Sequence, residues 1–464
     1  MTLSKRNFLG KRNDIDMTQG SIIRNILVFA FPLLIGNLFQ QLYNMVDAWV
    51  VGRSGINGAY AAVGSVGPII NVLIGFFVGL SSGTGVVVSQ FYGAKDHKRV
   101  HEAVHTAVAA TLVLGAVFTV VGVAMTPLFL DLMFHGDKTE IYPFAKEYLT
   151  IYFSGIMGMM LYNISSGILR AVGDSKRPFY FLLVSSVVNI ILDIVFVFCF
   201  GMDADGVALA TVISQWASAV LALITLLKNE SCIRLYVRDI KVSGVMLKKI
   251  IRIGFPAGIQ MAITAFSNIF VQSYITNVNG NTTHILGGWT SYSKIDMFMF
   301  LPVQSIALAV TTFVGQNTGI GNVKRAKEGT YKAIGISVCI TAVLIVITMI
   351  MSPALVRIFN TDPEVVRYGS MLLIWLSPFY LLTCINQNFA ASLRGLGNST
   401  APMIIMLSTF VGFRQLYLYV VSNFISNEIL PIAFSYPVGW FVCSLVLTTY
   451  YFTYKPKKNY IVEN

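Results

Sequence analysis

Twelve stretches of about twenty mostly apolar residues follow one another along this chain with short polar gaps, and that rhythm constrains the fold more than any other feature. They lie near 24–52, 59–90, 101–133, 141–169, 178–200, 205–227, 249–278, 284–316, 330–357, 366–393, 401–424 and 429–453. A helix of about 20 apolar residues crosses a bilayer with every backbone polar group satisfied inside the segment. Of the 464 residues 55% are hydrophobic and only 12% charged. A soluble domain is roughly 45–50% apolar, so an all-α membrane protein of twelve transmembrane helices is expected, with no room for a separate water-soluble domain.

The basic residues orient the bundle. With both termini placed in the cytoplasm, the cytoplasmic segments hold 26 of the 33 Lys and Arg. The exceptions are Arg53, Lys138, Lys146, Arg357 and Arg367 on the other side, and Lys294 and Arg414 within helices. This asymmetry follows the positive-inside rule. It accounts for the net charge of +12 without nucleic acid, as short-loop charges helped by anionic lipid headgroups. The first twenty residues lack an apolar core and a small-residue cleavage site, so no removable signal peptide is expected and the first helix serves as an uncleaved anchor. Cys199, Cys339, Cys384 and Cys443 fall in apolar runs and Cys232 in a polar loop, without metal-type or paired spacing; they read as small hydrophobes.

The chain repeats itself. Phe31-Pro32 recurs as Phe255-Pro256, "SQFYGAKDHKRV" from Ser89 matches "GQNTGIGNVKRA" from Gly315, and "LRAVGDSKRP" from Leu169 matches "LRGLGNSTAP" from Leu393. The offsets are 224 or 226. Six helices per copy is an even number, so both copies enter the membrane in the same sense, as parallel repeats around a central cavity. The expected organisation is a cytoplasmic segment 1–23, an N lobe 24–227, a cytoplasmic link 228–248, a C lobe 249–453 and a cytoplasmic tail 454–464. No Walker-type or H-E-x-x-H motif occurs, so neither an ATP-driven pump nor a zinc protease has a sequence behind it.

What remains is polar residues in the spans. Asp47, Asp193 and Asp296 sit well inside predicted helices, where a carboxylate costs several kcal/mol and marks a functional cavity by default. A structural ion pair is the plain alternative. On helix 1, Gln40, Asn44 and Asp47 fall within about 60° of one another at 100° per residue, and on helix 5 Asn189 and Asp193 share a face. Both acids lie in the outer half of helices that run in the same direction, so they can meet at similar depth. With Asn163 and Thr211 added, the N lobe collects oxygen-bearing side chains in apolar surroundings. Two neighbouring desolvated carboxylates resist ionising together, so the pair could bind and release a proton; the same oxygens could ligate Na+. The second copy has Val271 and Tyr417 at the equivalent places, which favours function over architecture. In the C lobe, Lys294 and Asp296 point about 160° apart, one toward the cavity and the other toward a neighbouring helix, and Arg414 is either a counter-charge or a substrate contact. Pro32 and Pro256 sit inside helices; Pro32 is a candidate hinge. The abundant Phe, Tyr and Met would suit lipophilic cations, although most must face lipid or core.

These residues together resemble the multidrug and toxic compound extrusion (MATE) family, in its prokaryotic branch. The resemblance is carried by Phe31-Pro32 with Asp47, "SQFYGAKD", "LRAVGDSKRP", "NIILDIVF" and "FVGQNTGIGN". It implies a two-lobed bundle that rocks between outward-open and inward-open states and exports organic cations or drugs against an incoming proton or sodium ion. A monomer in the bacterial inner membrane, with no cofactor beyond the coupling ion, is expected. The cation site it implies comprises Asp47, Asn163, Asn189, Asp193 and Thr211, with Gln40 and Tyr43 nearby. Another branch uses acids on helices 7 and 10, where this chain offers Gln260, Asn268, Gln387 and Asn388, leaving Asp296 as the C-lobe acid. The rivals are a lipid-linked oligosaccharide flippase, which would want more buried cations for pyrophosphate, a membrane-embedded enzyme and a passive channel. The chain shows no nucleophile or metal motif for the enzyme, and its repeat suits alternating access better than a pore.

Overall fold

The computed structural model describes residues 15–53, 57–134, 141–280 and 282–456. Its helices are α1 (Ile22–Arg53), α2 (Asn57–Gly93), α3 (His97–Met133), α4 (Tyr142–Ala171), α5 (Lys176–Cys199), α6 (Ala204–Leu227), α7 (Gly244–Thr276), α8 (Thr282–Gly319), α9 (Val323–Arg357), α10 (Pro363–Gly395), α11 (Thr400–Ile425) and α12 (Ile429–Thr453). No strand occurs among the described residues. Eleven of these helices are long and apolar enough to cross a membrane. The remaining one, α4, spans 30 residues but carries Tyr, Ser, Gly and Asn; most of it is buried against α2, α3 and α6, so it needs no lipid-facing coat. Much of the expected cytoplasmic segment and tail, residues 1–14 and 457–464, lies outside the described residues.

The largest early starts relative to hydropathy are α7, at Gly244 rather than 249, and α9, at Val323 rather than 330. Their first turns carry Lys248 and Lys249, and Lys324, Arg325 and Lys327. Such turns are helical without being apolar. Asn322 caps α9 by accepting the Arg325 N–H at 3.0 Å, as Asp96 caps α3 through the Arg99 N–H at 3.0 Å.

Packing reveals an exchange between the lobes. At one end of the bundle each lobe has its own core, one around Val50, Phe77 and Ile156 and the other around Val271, Tyr292 and Leu373. At the other end Ile22, Ile26 and Phe29 of α1 are buried among Ile306, Val310 and Phe313 of α8. Reciprocally, Met246, Ile250 and Ile253 of α7 are buried with Val87 and Phe91 of α2. Pro32 and Pro256 follow directly after these crossing halves, where a missing backbone N–H lets a helix bend.

The same end carries a reciprocal clasp. Gln90 Nε2 donates to the Gly395 carbonyl at 2.7 Å and Gln316 Nε2 to the Ala171 carbonyl at 2.8 Å, each reaching the opposite lobe. Gly93 lets this happen: a Cβ there would lie 2.1 Å from the Gln316 carbonyl oxygen, and one on Gly319 would lie 2.0 Å from that of Gln90. Gly79 and Gly83 of α2 meet Gly258 and Gly254 of α7 almost as closely. The duplicated "SQFYG" and "GQNTG" motifs are therefore one contact made twice.

The turn before α5 is held by Asp174, which is fully buried. Its Oδ1 accepts the Lys176 and Arg177 N–H groups at 3.1 Å each, and its Oδ2 lies 3.3 Å from Arg177 Nε. Asp174→Ala leaves a buried guanidinium without its carboxylate, so it should cost about 3–5 kcal/mol. A lowered thermal midpoint of the detergent-purified protein would report it, and an unchanged midpoint would contradict it.

Candidate functional site

Three helices bring the N-lobe polar residues together. α1 packs on α5 through Gly36, where a Cβ would stand 3.1 Å from Leu182 Cδ1. This close approach carries the outer half of α1 along α5 and sets the Asp47 carboxyl beside that of Asp193. Asn189 and Asp193 are both fully buried on one face of α5, and Thr211 of α6 is only 7% exposed. None of Asp193 Oδ1 and Oδ2, Asn189 Oδ1 and Nδ2, Thr211 Oγ1 or Asp47 Oδ1 has a donor or acceptor partner among the described protein atoms if both acids are ionised. A polar group left so in an apolar interior is costly. One proton between the two carboxyls supplies the missing donor, and a bound cation would use the same oxygens.

Just beyond Asp193, α5 widens into a π-helical turn at Val195–Cys199, a device frequent at functional sites. On α1, Tyr43 is buried one turn before Asp47. Asn44 departs from the expected stripe. It is exposed, as is its repeat counterpart Asn268 on α7. Asn163 turns its amide onto its own helix, donating to the Met159 carbonyl at 2.9 Å, while its backbone carbonyl accepts from Ser81 Oγ at 2.6 Å.

Two residues escaped the sequence reading. Tyr148 is buried within electrostatic reach of both Asp47 and Asp193, and Tyr152, stacked on it at 6.5 Å, donates its hydroxyl to Met159 Sδ at 3.6 Å. Their spacing of four on α4, the least apolar helix of its lobe, was the available signal.

The C lobe arranges its polar residues differently. Asp296 Oδ1 accepts from the Tyr380 hydroxyl and, at 3.3 Å, from that of Tyr292. Arg414 Nη2 donates to Ser267 Oγ at 2.8 Å and Asn268 Oδ1 at 3.0 Å, with its guanidinium 4.9 Å from the Tyr436 ring centre. Lys294 is exposed and points away from Asp296, as their spacing requires. Gln260 lies apart from Asn268, with Arg394 Nη1 donating to its Oε1 at 3.4 Å.

The sequence model of the MatE family matches residues 32–195 and 256–420, one match per lobe. This chain belongs to the MATE family. Its relatives include the probable multidrug resistance protein YoeA of Bacillus subtilis, 31% identical over 94% of this chain and 95% of the relative. The probable multidrug resistance protein NorM of Thermotoga maritima is 27% identical over 83% and 82%. Among solved structures, a MOP superfamily transporter from Pyrococcus furiosus superposes with a TM-score of 0.88 at 23% identity, covering 95% of this chain and 97% of that one. An outward-facing multidrug resistance MATE family transporter gives 0.87 at 24% identity over 95% and 97%. The MATE chain is accordingly a multi-pass membrane transporter, not an enzyme, and the two matches of the family model coincide with its two structural repeats.

Proposed function

We propose that this MATE transporter is a secondary active antiporter that exports organic cations in exchange for an inward-moving proton or sodium ion. The observation that carries the reading is the Asp47 and Asp193 pair, whose buried oxygens leave one position for a cation and no protein donor to fill it. Two desolvated carboxyls side by side resist ionising together, so a proton held between them is the simplest occupant, and this reading favours H+ over Na+ as the coupling ion. Cation or proton, and substrate, would compete for the N-lobe site: taking up the ion outside releases the substrate, and the ion leaves inside after the lobes swing. A ligand moves such an equilibrium only through its different affinities for the two states. The charge asymmetry of the chain supports a cytoplasmic location for the clasped end, with both termini there, which makes this arrangement outward-facing. The names of the relatives support drugs as substrates, and a monomer in the bacterial plasma membrane suffices for the cycle.

The test is export of a fluorescent lipophilic cation from proteoliposomes under an imposed pH gradient and, separately, a sodium gradient. Export driven by the pH gradient alone is expected. A drive by sodium alone reassigns the ion, and indifference to both gradients overturns antiport in favour of a flippase-like activity.

A further inference from the structure

A cavity of about 410 Å³ opens in the flank of the bundle near the clasped end. Leu27, Val28 and Phe31 of α1, Pro302 and Ile306 of α8 and Ile340 of α9 form its walls, and Lys176, the first residue of α5, stands at its rim. The transport site uses none of these. Arg24, Leu27, Val28 and Phe31 follow the i, i+3, i+4, i+7 spacing of one helix face, and all four are exposed. The groove is therefore an apolar slot with Lys176 at its rim, and exposed Arg24 stands one helical turn before Leu27 and Val28 on the same face of α1. From Leu27 to Leu34 its lining runs about 10 Å along α1, and with Arg24 a turn further on the same face it fits within one leaflet of the roughly 30 Å hydrocarbon core.

We propose that this groove binds an anionic phospholipid, with one acyl chain in the slot and the phosphate against Arg24 and Lys176. Apolar walls alone would accept any lipid. The two cations choose among them: they attract a headgroup of net negative charge, gain less from a zwitterionic one and repel an organic cation. The carboxylate nearest in sequence to Lys176, Asp174, is buried against Arg177. The walls come from both lobes, Lys176 from the N lobe and Pro302, Ile306 and Ile340 from the C lobe. The slot is thus a feature of the clasped arrangement, and a lipid seated in it would hold that arrangement.

Delipidated protein in detergent is titrated by native mass spectrometry with phosphatidylglycerol, with phosphatidylcholine of the same chains, and with chain-free glycerophosphoglycerol. Phosphatidylglycerol should bind most tightly, and Arg24→Gln and Lys176→Gln should each weaken it about fivefold while leaving phosphatidylcholine unchanged. Ile340→Trp, which fills the slot and keeps both charges, should weaken it as well, with thermal melts confirming that each variant folds. Equal affinity for the two phospholipids overturns the proposal, as does chain-free headgroup binding as tightly as the lipid. Preference surviving in the double glutamine variant, or binding unaffected by Ile340→Trp, also overturns it. The readout is binding, so its failure is separate from any failure of ion-coupled transport.

Discussion

Asp193→Asn should abolish the response to an ion gradient, lowering gradient-driven export of a cationic dye by roughly a hundredfold or more, and Asp47→Asn should do the same. An ion that no longer distinguishes the two states cannot move their equilibrium. The substitution is chosen to keep shape. The amide introduced by Asp193→Asn can donate to the Asp47 carboxylate, so this variant imitates the state with a proton shared between the acids. In that state the site is satisfied, and the thermal midpoint should match or exceed that of wild type, since the fully buried acid no longer lacks a donor. The combination of lost transport and retained stability separates a coupling role from a structural one. Normal gradient-driven export by both variants would show that the carboxyls are architectural. Loss of stability along with transport would show the pair to be part of the core.

The architecture was largely legible in the sequence because membrane solvation acts on composition. Twelve apolar runs, the bias of Lys and Arg and the duplicated motifs are all readable without coordinates. The acid pair was legible for the same reason, since Asp47 and Asp193 stand out against apolar neighbours. What escaped was decided by packing. Tyr148 and Tyr152 look like any other membrane aromatics until α4 is set against α5 and α6. Gln260 looks like a cavity residue until Arg394 is found donating to it. Asn44 shares a helical stripe with Asp47 by angle, but the two differ in burial because α5 covers only one side of α1. The crossing of α1 and α7 into the opposite lobes was also hidden. Ile22, Ile26 and Phe29 are apolar, as are Met246, Ile250 and Ile253, and apolarity does not say whose core they enter.

Gly93→Ala should shift the balance of the two arrangements toward the one in which the clasped end is open, by about ten- to a hundredfold. The new methyl would stand 2.1 Å from the Gln316 carbonyl oxygen, and neither backbone can rotate away as a side chain would. Overpacking of this kind costs roughly 1–3 kcal/mol, and every 1.4 kcal/mol is about tenfold. On the proposed rocking cycle α2 and α8 separate when the lobes part, so the cost would fall on the closed state alone and appear as a population shift rather than as unfolding. Spin labels at Lys98 and Lys324, both exposed at this end, report it after the exposed native Cys199 and Cys339 are replaced. The distance distribution should gain a longer component in the variant. Gly335→Ala is the control, since a Cβ there meets nothing within 4 Å, and its distribution should match the parent. Gln90→Ala should act in the same direction, because it leaves the buried Gly395 carbonyl without its donor. Gly319→Ala strains the same interface from the other repeat, so adding it to Gly93→Ala should shift the balance less than the sum of the two alone. Full additivity would mean that the two halves of the clasp release independently, and an unshifted distribution in Gly93→Ala would mean that this end is held closed by other contacts.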